Sequence, residues 1–245
     1  MKRILICLLF FFIGCTPSTP KVHFCLIGRD TNWVPLNFDR KTIHINGFTN
    51  ALIQELNLLE KTNFQIIDVS WDQLLQGLEK KNYTAVLTSL DPNAISKEIY
   101  TFSDPFLLTG PVLVTPIDGD IHSLADLENT TVGAYAYDNS VLILQNYPSI
   151  LIETYQSILN ALQAVKEGRL AGALIPHLEA QSFLGTIYDQ TLRISTPPLS
   201  DQGLRLITLK NQHPNLIKNF NHGLKKLQKN GNYCTLQRRF RLTGK

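Results

Sequence analysis

The stretch FQIIDVSWDQLLQGLEKKNYTAVLTSL, residues 64–90, changes its hydrophobic pattern twice and thereby decides the fold class. Residues 64–70 form a short apolar run that is typical of a buried strand. In 71–82 the apolar residues recur at the spacing of one helix face, and 83–90 is again a short apolar run. A strand, a helix and a second strand in this order predict two parallel strands joined by a helical crossover.

The same alternation continues on both sides of this stretch. Upstream, residues 22–28 predict a strand and 49–63 predict a helix. Downstream, a second alternation of strands and helices begins near residue 131 and runs towards the C-terminus. The pattern therefore predicts an α/β fold made of two units, each a sheet covered by helices.

Four polar loops follow predicted strands and point to the position of a binding site. In open α/β sheets, ligands bind beyond the carboxyl ends of the strands, where loops lead into helices. A cleft between two such units is therefore the expected site for a small polar solute. The loops, all rich in hydroxyl, amide or carboxylate groups, are GRDTNWVPL (28–36), LTSLDPNAIS (87–96), GAYAYDNS (133–140) and LIPHLE (174–179).

The composition excludes some classes of partner. The 245-residue chain carries a formal net charge of +3, which is too small to indicate a nucleic-acid partner. Its six histidines are scattered and no CxxC or HExxH motif is present, so we expect neither a metal site nor a cofactor.

The N-terminus predicts export from the cell. Lys2 and Arg3 precede the apolar run 4–13, which is shorter than the 20 or so residues of a membrane-spanning helix and fits a secretory signal peptide, residues 1–14. The ending FIGC, residues 12–15, resembles the lipobox of bacterial lipoproteins, although leucine is usual where Phe12 stands. The resemblance implies cleavage before Cys15 and acyl chains that anchor the protein to a membrane.

Plain secretion with a chance cysteine is the alternative to lipid anchoring. Residues 15–21 are predicted to be a lipid-anchored linker, and the expected location is the periplasm of a bacterium. Cys7 leaves with the signal, so Cys25 and Cys234 remain in the mature domain. Outside the cytoplasm these two cysteines could form a disulfide, and free thiols are the alternative.

Several short stretches, in the right order from about Val22 to the C-terminus, resemble one known family. The family is the solute-binding proteins of bacterial ABC transporters that bind polar amino acids. The clearest stretches are GRDTNWVPLNF (28–38), INGFTNALIQEL (45–56), YTFSDPF (100–106) and SILNALQAVKEGRLAGAL (157–174).

This resemblance implies a type II periplasmic-binding-protein fold, in which two parallel-dominated sheets with flanking helices are joined by a two-strand hinge. Lobe 1 would comprise residues 22–109 plus 200–245, and lobe 2 residues 110–199. The protein would be a monomeric substrate-binding lipoprotein of an ABC importer. It would capture an amino acid or similar small polar solute and deliver it to a permease that an ATPase drives in the inner membrane.

Two other functions stay open at this stage. One is a sensor or surface lipoprotein whose ligand binding has changed or been lost. The other is an enzyme on the same fold, similar to dehydratases or lytic transglycosylases, with Asp30, Asp91 and Glu179 as candidate acids. Because no catalytic motif supports the enzyme, we expect binding without catalysis.

When the site residues of the family are matched to this sequence one by one, both charged groups that usually bind an amino acid are missing. The family arginine for the ligand carboxylate falls on Ser96, beside Lys97, and the lobe 2 acid for the amine falls on Pro176. In lobe 1, Thr88 and Ser89 match positions that receive the ligand amine. The segment 90–106 thus raises the question of what replaces its missing arginine.

Other residues are candidates for the lost charges. Asp91 would supply negative charge, Asp30 would meet a cationic side chain, and Trp33 would stack on the ligand. A predicted helix start would offer backbone N–H groups to a carboxylate. That helix start comprises Tyr137, Asp138, Asn139 and Ser140.

The same residues also have ordinary structural interpretations. Trp33 could pack in the core or at the hinge, and Asp91 could shape a turn. Asp138 to Ser140 could be common N-cap residues. Lys97 could be fully exposed, and His177, beside Pro176, could be a loop histidine that does not contact the ligand.

Overall fold

The computed structural model of the chain describes residues 25–34, 36, 38 and 41–242. The predicted signal peptide, Cys15 and the linker lie outside these residues. The described part forms two α/β lobes, each built on one mixed sheet with flanking helices. Lobe 1 is defined here by the first sheet and lobe 2 by the second.

The sheet of lobe 1 has the strand order β2-β1-β3-β11-β4, and β5 pairs with β11 beside it. Strands β1, β2 and β3 are parallel, whereas β11 runs antiparallel to β3, β4 and β5. The strands are β1 (Cys25–Asp30), β2 (Phe64–Val69), β3 (Ala85–Thr88), β4 (Tyr100–Phe102), β5 (Leu107–Leu108) and β11 (Gly203–Leu209).

The sheet of lobe 2 has the order β10-β6-β9-β7-β8. Strand β7 is parallel to β8 and β9, whereas β6 is antiparallel to β9 and β10. The strands are β6 (Pro111–Pro116), β7 (Thr131–Tyr135), β8 (Leu151–Tyr155), β9 (Gly172–Pro176) and β10 (Leu192–Ile194).

Both sheets are thus mixed, where the sequence predicted that parallel pairs dominate. The cause is the double crossing of the chain between the lobes. Strand β1 ends at the cleft with Asp30, whereas β11 enters lobe 1 from the cleft at Gly203, so β11 runs opposite to β1 and β3. In lobe 2, β6 leaves the hinge where β9 arrives, with Pro111 opposite Pro176.

Helices cover both sheets, as the hydrophobic spacing predicts. Helix α7 starts with proline at its first position, where the missing N–H does no harm. The helices are α1 (Thr42–Glu60), α2 (Trp71–Glu79), α3 (Ser96–Ile99), α4 (Ser140–Leu144), α5 (Ile158–Lys166), α6 (His177–Leu184), α7 (Pro214–Lys229) and α8 (Asn232–Arg239).

Two chain crossings connect the lobes and bond to each other. Thr109 N and Gly110 N both donate to Gln202 O, at 2.9 and 3.2 Å. A Cβ on Gly203 would lie 2.5 Å from the carbonyl oxygen of Leu107, so the close approach of the crossings requires glycine there. This is the two-strand hinge that the sequence resemblance implies. The boundaries at 109/110 and 199/200 stay predictions.

Each lobe has its own hydrophobic core. The lobe 1 core contains three aromatic rings packed edge to face: Trp33 and Phe106 have centroids 6.1 Å apart, and Phe106 and Phe220 6.2 Å apart. In lobe 2, helix α5 packs Ala161 and Val165 against the sheet. Two cores of this kind account for the two units that the sequence predicts.

Cys25 and Cys234 are free thiols, so the structure has the second of the two alternatives that the sequence left open. Cys25 is half-buried at the start of β1, and Cys234 is exposed on α8. Burial raises the pKa of the Cys25 thiol. Within the described ranges, no helix is both long and apolar enough to cross a bilayer, and no group of three metal-binding side chains is present.

Candidate functional site

The lobes enclose a cleft with two compartments that meet at Gln202. Each compartment has a volume of about 280 Å³. The tyrosine compartment is lined by Leu36, Phe38, Thr109, Tyr135, Tyr137, Asp138, Ile158, Pro176, Glu179 and Gln202. The lysine compartment is lined by Asp91, Pro92, Asn93, Lys97, Asn139, Ser200, Asp201 and Gln202. A smaller cavity of 160 Å³ lies at the far end of the lobe 1 strands, beside Tyr83 and His213, and has no lobe 2 lining.

Trp33 lies in the lobe 1 core and not on the cleft surface. Its side chain has no exposed area, and its Nε1 donates to Asn46 Oδ1 at 2.8 Å. Its backbone has a left-handed φ of 59°, which is unusual for a bulky residue. The structure therefore gives the ring the packing role that the sequence left open, and leaves no face of it for stacking on a ligand.

The hydroxyls of Thr88 and Ser89, predicted to receive the ligand amine, also form hydrogen bonds within lobe 1. Ser89 Oγ donates to Val34 O at 2.6 Å, which ties the loop after β1 to the end of β3. Thr88 Oγ1 accepts from Leu90 N at 3.2 Å, and Thr88 has no exposed area. Both residues thus help to hold the lobe 1 loops that border the cleft.

Ser96, the position of the family arginine, is also used internally. Its Oγ donates to Asp91 O at 2.7 Å, and its backbone N–H donates to Asn93 Oδ1 at 2.9 Å. This network folds segment 91–96 into a turn that leads into α3. Lys97, the next residue, is exposed and lines the lysine compartment.

A buried arginine that the sequence analysis did not single out supports the same region. Arg205, on β11, is 5% exposed. Its Nη1 donates to Ser103 O and its Nη2 to Asp201 Oδ2, both at 2.9 Å. Its positive charge counteracts the effect of burial, which raises the pKa of Asp91. An arginine in the apolar run of β11 is the signal that could have revealed it.

Asp30 is buried where β1 ends. Its Oδ1 accepts from Asn32 N at 3.0 Å, while its Oδ2 has no partner among the described residues. Burial raises the pKa of Asp30, and backbone N–H groups of the following loop lower it in part. The carboxylate lies beneath the cleft loops and is not part of the lining of either compartment.

The turn at 137–140 contributes to both compartments from lobe 2. Tyr137 and Asp138 line the tyrosine compartment, and Asn139 lines the lysine compartment. Asp138 Oδ2 and Asn139 Oδ1 are buried without a partner in the described ranges. Ser140 is fully buried and begins α4, with its Oγ near Leu174 O at 3.4 Å.

One N–H group of the anion site that the sequence predicted at this turn is already occupied. Asp138 Oδ1 already accepts from Ser140 N at 2.8 Å, so the side chain of the turn occupies the N–H that a ligand carboxylate would use. Helix α4 has only five residues, which leaves little aligned dipole at its start. Burial raises the pKa of Asp138, and its hydrogen bonds with Ser140 oppose that shift.

Pro176 and His177 lie where β9 passes into α6. Pro176 lines the tyrosine compartment. His177 is half-buried, its Nε2 lies 2.8 Å from Gln181 Nε2, and burial lowers the pKa of its imidazole. Lys41 of lobe 1 reaches across and donates to Leu178 O. These contacts join the lobes beside the tyrosine compartment.

Hinge residues are the part of the site that the sequence analysis missed. Thr109 Oγ1 and Ser200 Oγ are buried without a partner in the described part of the chain, and each lines one compartment. Gln202 lines both compartments. A polar residue at each predicted junction between the lobes was the available signal.

Comparison with known proteins settles the family. Residues 26–243 match the model of the bacterial extracellular solute-binding proteins, family 3. The chain belongs to this family. The relatives that this family 3 chain resembles include proteins named as arginine-binding proteins and one named as a probable amino-acid ABC transporter-binding protein.

Relatives align with this family 3 chain over most of their length. It is 25% identical over 250 residues to the arginine-binding periplasmic protein of Mannheimia haemolytica, covering 95% of each chain. It is 23% identical over 219 residues to the arginine-binding extracellular protein ArtP of Bacillus subtilis, covering 88% of this chain and 85% of that one.

Solved structures share the fold of this family 3 chain at low identity. The unliganded, open L-cystine solute receptor of Neisseria gonorrhoeae superimposes with a TM-score of 0.69, 16% identity and coverage of 90% and 93%. A substrate-binding protein of a polar amino acid ABC uptake transporter from Streptococcus thermophilus superimposes with a TM-score of 0.65 and 20% identity. The match covers 89% of this chain and 85% of that one. Both confirm the two-lobed α/β fold.

Proposed function

We propose that the protein is the substrate-binding component of an ABC importer. In this role it captures an amino acid or a similar small polar solute between its lobes and delivers it to a membrane permease that an ATPase drives. The activity is binding and release, without bond cleavage, and the protein acts as a monomer.

One observation carries this proposal: the cleft is lined by buried polar atoms that lack partners among the described residues. Each such atom costs about 1–3 kcal/mol when it stays unsatisfied. A small solute with several donors and acceptors would satisfy them and hold both lobes at once. The atoms are Thr109 Oγ1, Asp138 Oδ2, Asn139 Oδ1 and Ser200 Oγ.

The relatives support an amino acid as the solute. The Mannheimia haemolytica and Bacillus subtilis proteins are named for arginine binding. Thermal denaturation of the purified protein against the twenty amino acids tests this. A ligand at 100 times its Kd adds about 2.7 kcal/mol, which for a chain of this length raises the Tm by about 5–10 °C.

Delivery to a permease needs a separate test in cells. Deleting the gene should abolish uptake of the radiolabelled solute that binds the purified protein, and restoring the gene should return it. Binding in vitro with unchanged uptake in the deletion strain would contradict the importer role while leaving the binding role intact.

We also propose that the protein is exported, cleaved before Cys15 and held at the periplasmic membrane surface by lipid on that cysteine. Radiolabelled palmitate should be incorporated into the wild-type protein. Cys15→Ala should remove the label and release the protein into the soluble periplasmic fraction. Label on the variant, or none on the wild type, would contradict lipid anchoring.

A sensor role is the second candidate, and one similarity favours it. The chain is 24% identical over 166 residues to the virulence sensor protein BvgS of Bordetella bronchiseptica, a match that covers 13% of that protein. A sensor would bind the solute, yet its deletion would change gene expression and leave uptake of that solute unaltered.

A further inference from the structure

We propose that the start of helix α6 is a latch that holds the two lobes together when no ligand is bound. The α6 latch is defined as Leu178 and Glu179 of α6 together with Lys41 of lobe 1. It links the lobes in addition to the two chain crossings at the hinge. This inference goes beyond the proposed function, because it concerns the ligand-free protein.

The first observation is that one side chain of α6 packs into the core of the opposite lobe. Helix α6 follows β9, a strand of lobe 2, and its Ala180 and Leu184 belong to the lobe 2 core. Leu178 belongs instead to the hydrophobic core cluster of lobe 1, which includes Phe38 and Phe106, and it has no exposed area. If the lobes separated at α6, Leu178 would leave this cluster and meet water, which costs free energy.

The second observation is a hydrogen bond that lobe 1 donates to α6. Lys41, the residue immediately before α1, donates from its Nζ to Leu178 O. Lys41 is half-buried, burial lowers the pKa of its ammonium group, and nearby Glu179 counteracts that effect. The ammonium group thus exchanges water for a carbonyl oxygen and a negative charge that lobe 2 provides. Separation of the lobes at α6 would break this charge-assisted bond.

The third observation is that α6 begins against the crossing that links β5 to β6. The backbone N–H of His177 donates to Gly110 O at 3.2 Å, and the imidazole Nδ1 lies 3.5 Å from Leu108 O. The start of α6 therefore meets lobe 1 at Lys41, in the hydrophobic core and beside the hinge. All of these contacts form within the protein and require no ligand.

A latch of this kind sets the fraction of ligand-free molecules whose lobes are together. Neither Lys41 nor Leu178 is part of the lining of a compartment, so the latch acts through this fraction and not by contact with the solute. For a ligand that binds the joined state, the apparent affinity falls in proportion to the fraction of molecules in that state. Weakening the latch would therefore weaken the binding of such a ligand.

Small-angle X-ray scattering of the ligand-free protein tests this inference. Any co-purified solute is first removed by unfolding in guanidinium chloride, dialysis and refolding. Lys41→Glu replaces the donor by a carboxylate that Leu178 O and Glu179 repel, so it should lower the ratio of joined to open molecules by about 100-fold. A ratio of about 99:1 would then become about 1:1, and the radius of gyration should rise.

Lys61→Glu is the matched control. It makes the same change of charge at an exposed residue, directly after the other end of α1, and should leave the radius of gyration unchanged. Lys41→Glu should fold, because an acidic side chain suits a helix N-terminus, and circular dichroism checks this. Leu178→Ala is a second variant, which removes the packing without changing the charge and should also raise the radius of gyration.

Two results would overturn the inference. One is an equal radius of gyration for the wild type and Lys41→Glu, and the other is an equal rise for Lys41→Glu and Lys61→Glu. If Leu178→Ala does not fold, these comparisons still decide. The measurement needs no ligand, so its failure leaves the proposed binding function intact, and a protein that binds no amino acid can still have the latch.

Discussion

The two sides of the cleft use their polar side chains in opposite ways. On the lobe 1 side, Ser89 and Ser96 donate their hydroxyl hydrogens to carbonyls of their own lobe, and the Trp33 indole donates to Asn46. On the lobe 2 side and at the hinge, Asp138 Oδ2 and Thr109 Oγ1 are buried without a partner in the described ranges.

This difference teaches which polar residues of a cleft are available to a ligand. A hydroxyl that donates to a buried carbonyl has no hydrogen left for a ligand acceptor, and its oxygen can only accept from a ligand donor. A buried oxygen without a partner gains a full hydrogen bond. The part of lobe 1 around Ser89, Ser96 and Trp33 therefore serves as a preformed wall, and Asp138 with Thr109 provides buried oxygens that a solute would satisfy.

The largest expected effect is a loss of stability on the lobe 1 side of the cleft. Trp33→Ala removes a fully buried indole and its bond to Asn46, and should lower the free energy of unfolding by about 3–5 kcal/mol. Urea denaturation monitored by circular dichroism measures this. A loss below about 1 kcal/mol would show that Trp33 is not part of the core and would restore it as a candidate ligand platform.

A smaller loss is expected for the bond between two loops. Ser89→Ala leaves the carbonyl of Val34 without its donor and should reduce the unfolding free energy by about 1–2 kcal/mol. Ser182→Ala, on the exposed side of α6, is the matched control and should change it by less than about 0.5 kcal/mol. Equal effects from the two variants would contradict the structural role of Ser89.

Asp138→Asn should act in the opposite direction on the ligand-free protein. Because burial raises the folded-state pKa of Asp138, the folded state binds its proton more tightly than the unfolded state does. The charged carboxylate therefore destabilises the fold at neutral pH, and Asp138→Asn should raise the Tm there.

That gain should disappear as the pH falls below the ordinary aspartate pKa of about 3.9, where both states are protonated. Glu179, Lys41 and His177 also face this region and are present in both wild type and variant. A gain that grows towards acid pH would contradict the assigned sign.

The smallest effect concerns the hinge hydroxyl. Thr109→Val replaces an unpartnered hydroxyl by a methyl group of the same size and should raise the unfolding free energy by a few tenths of a kcal/mol, while it weakens ligand binding. In Thr208→Val the lost hydroxyl donates to Gln212 O at 3.1 Å, so this control should lose about 1 kcal/mol. Destabilisation by both variants would show that Thr109 has a partner.

The fold was accessible from the sequence because local patterns carry it. The changes of periodicity in 64–90 predict β2, α2 and β3 near their observed bounds. The antiparallel pairing of β11 was not accessible, since it follows from the route of the chain through the other lobe and not from any local spacing.

The candidate site was accessible only in part. The turn around Asp138 was predicted to line the cleft, and it does line both compartments. Whether a hydroxyl such as that of Ser89 turns to a neighbouring loop or to the cleft depends on a partner distant in sequence, here Val34. The opposing hinge residues Thr109 and Ser200 are also distant in sequence, so no motif unites them.

The position of Gln202 has a mechanical consequence. Its backbone carbonyl accepts from both residues of the other crossing, and the residue borders both compartments. Atoms near a pivot travel least when two bodies rotate about it. A ligand bound against Gln202 would therefore keep its contacts near the hinge while the outer edges of the lobes separate. The separation of those edges, and not movement at the hinge, would then set the rate of ligand release.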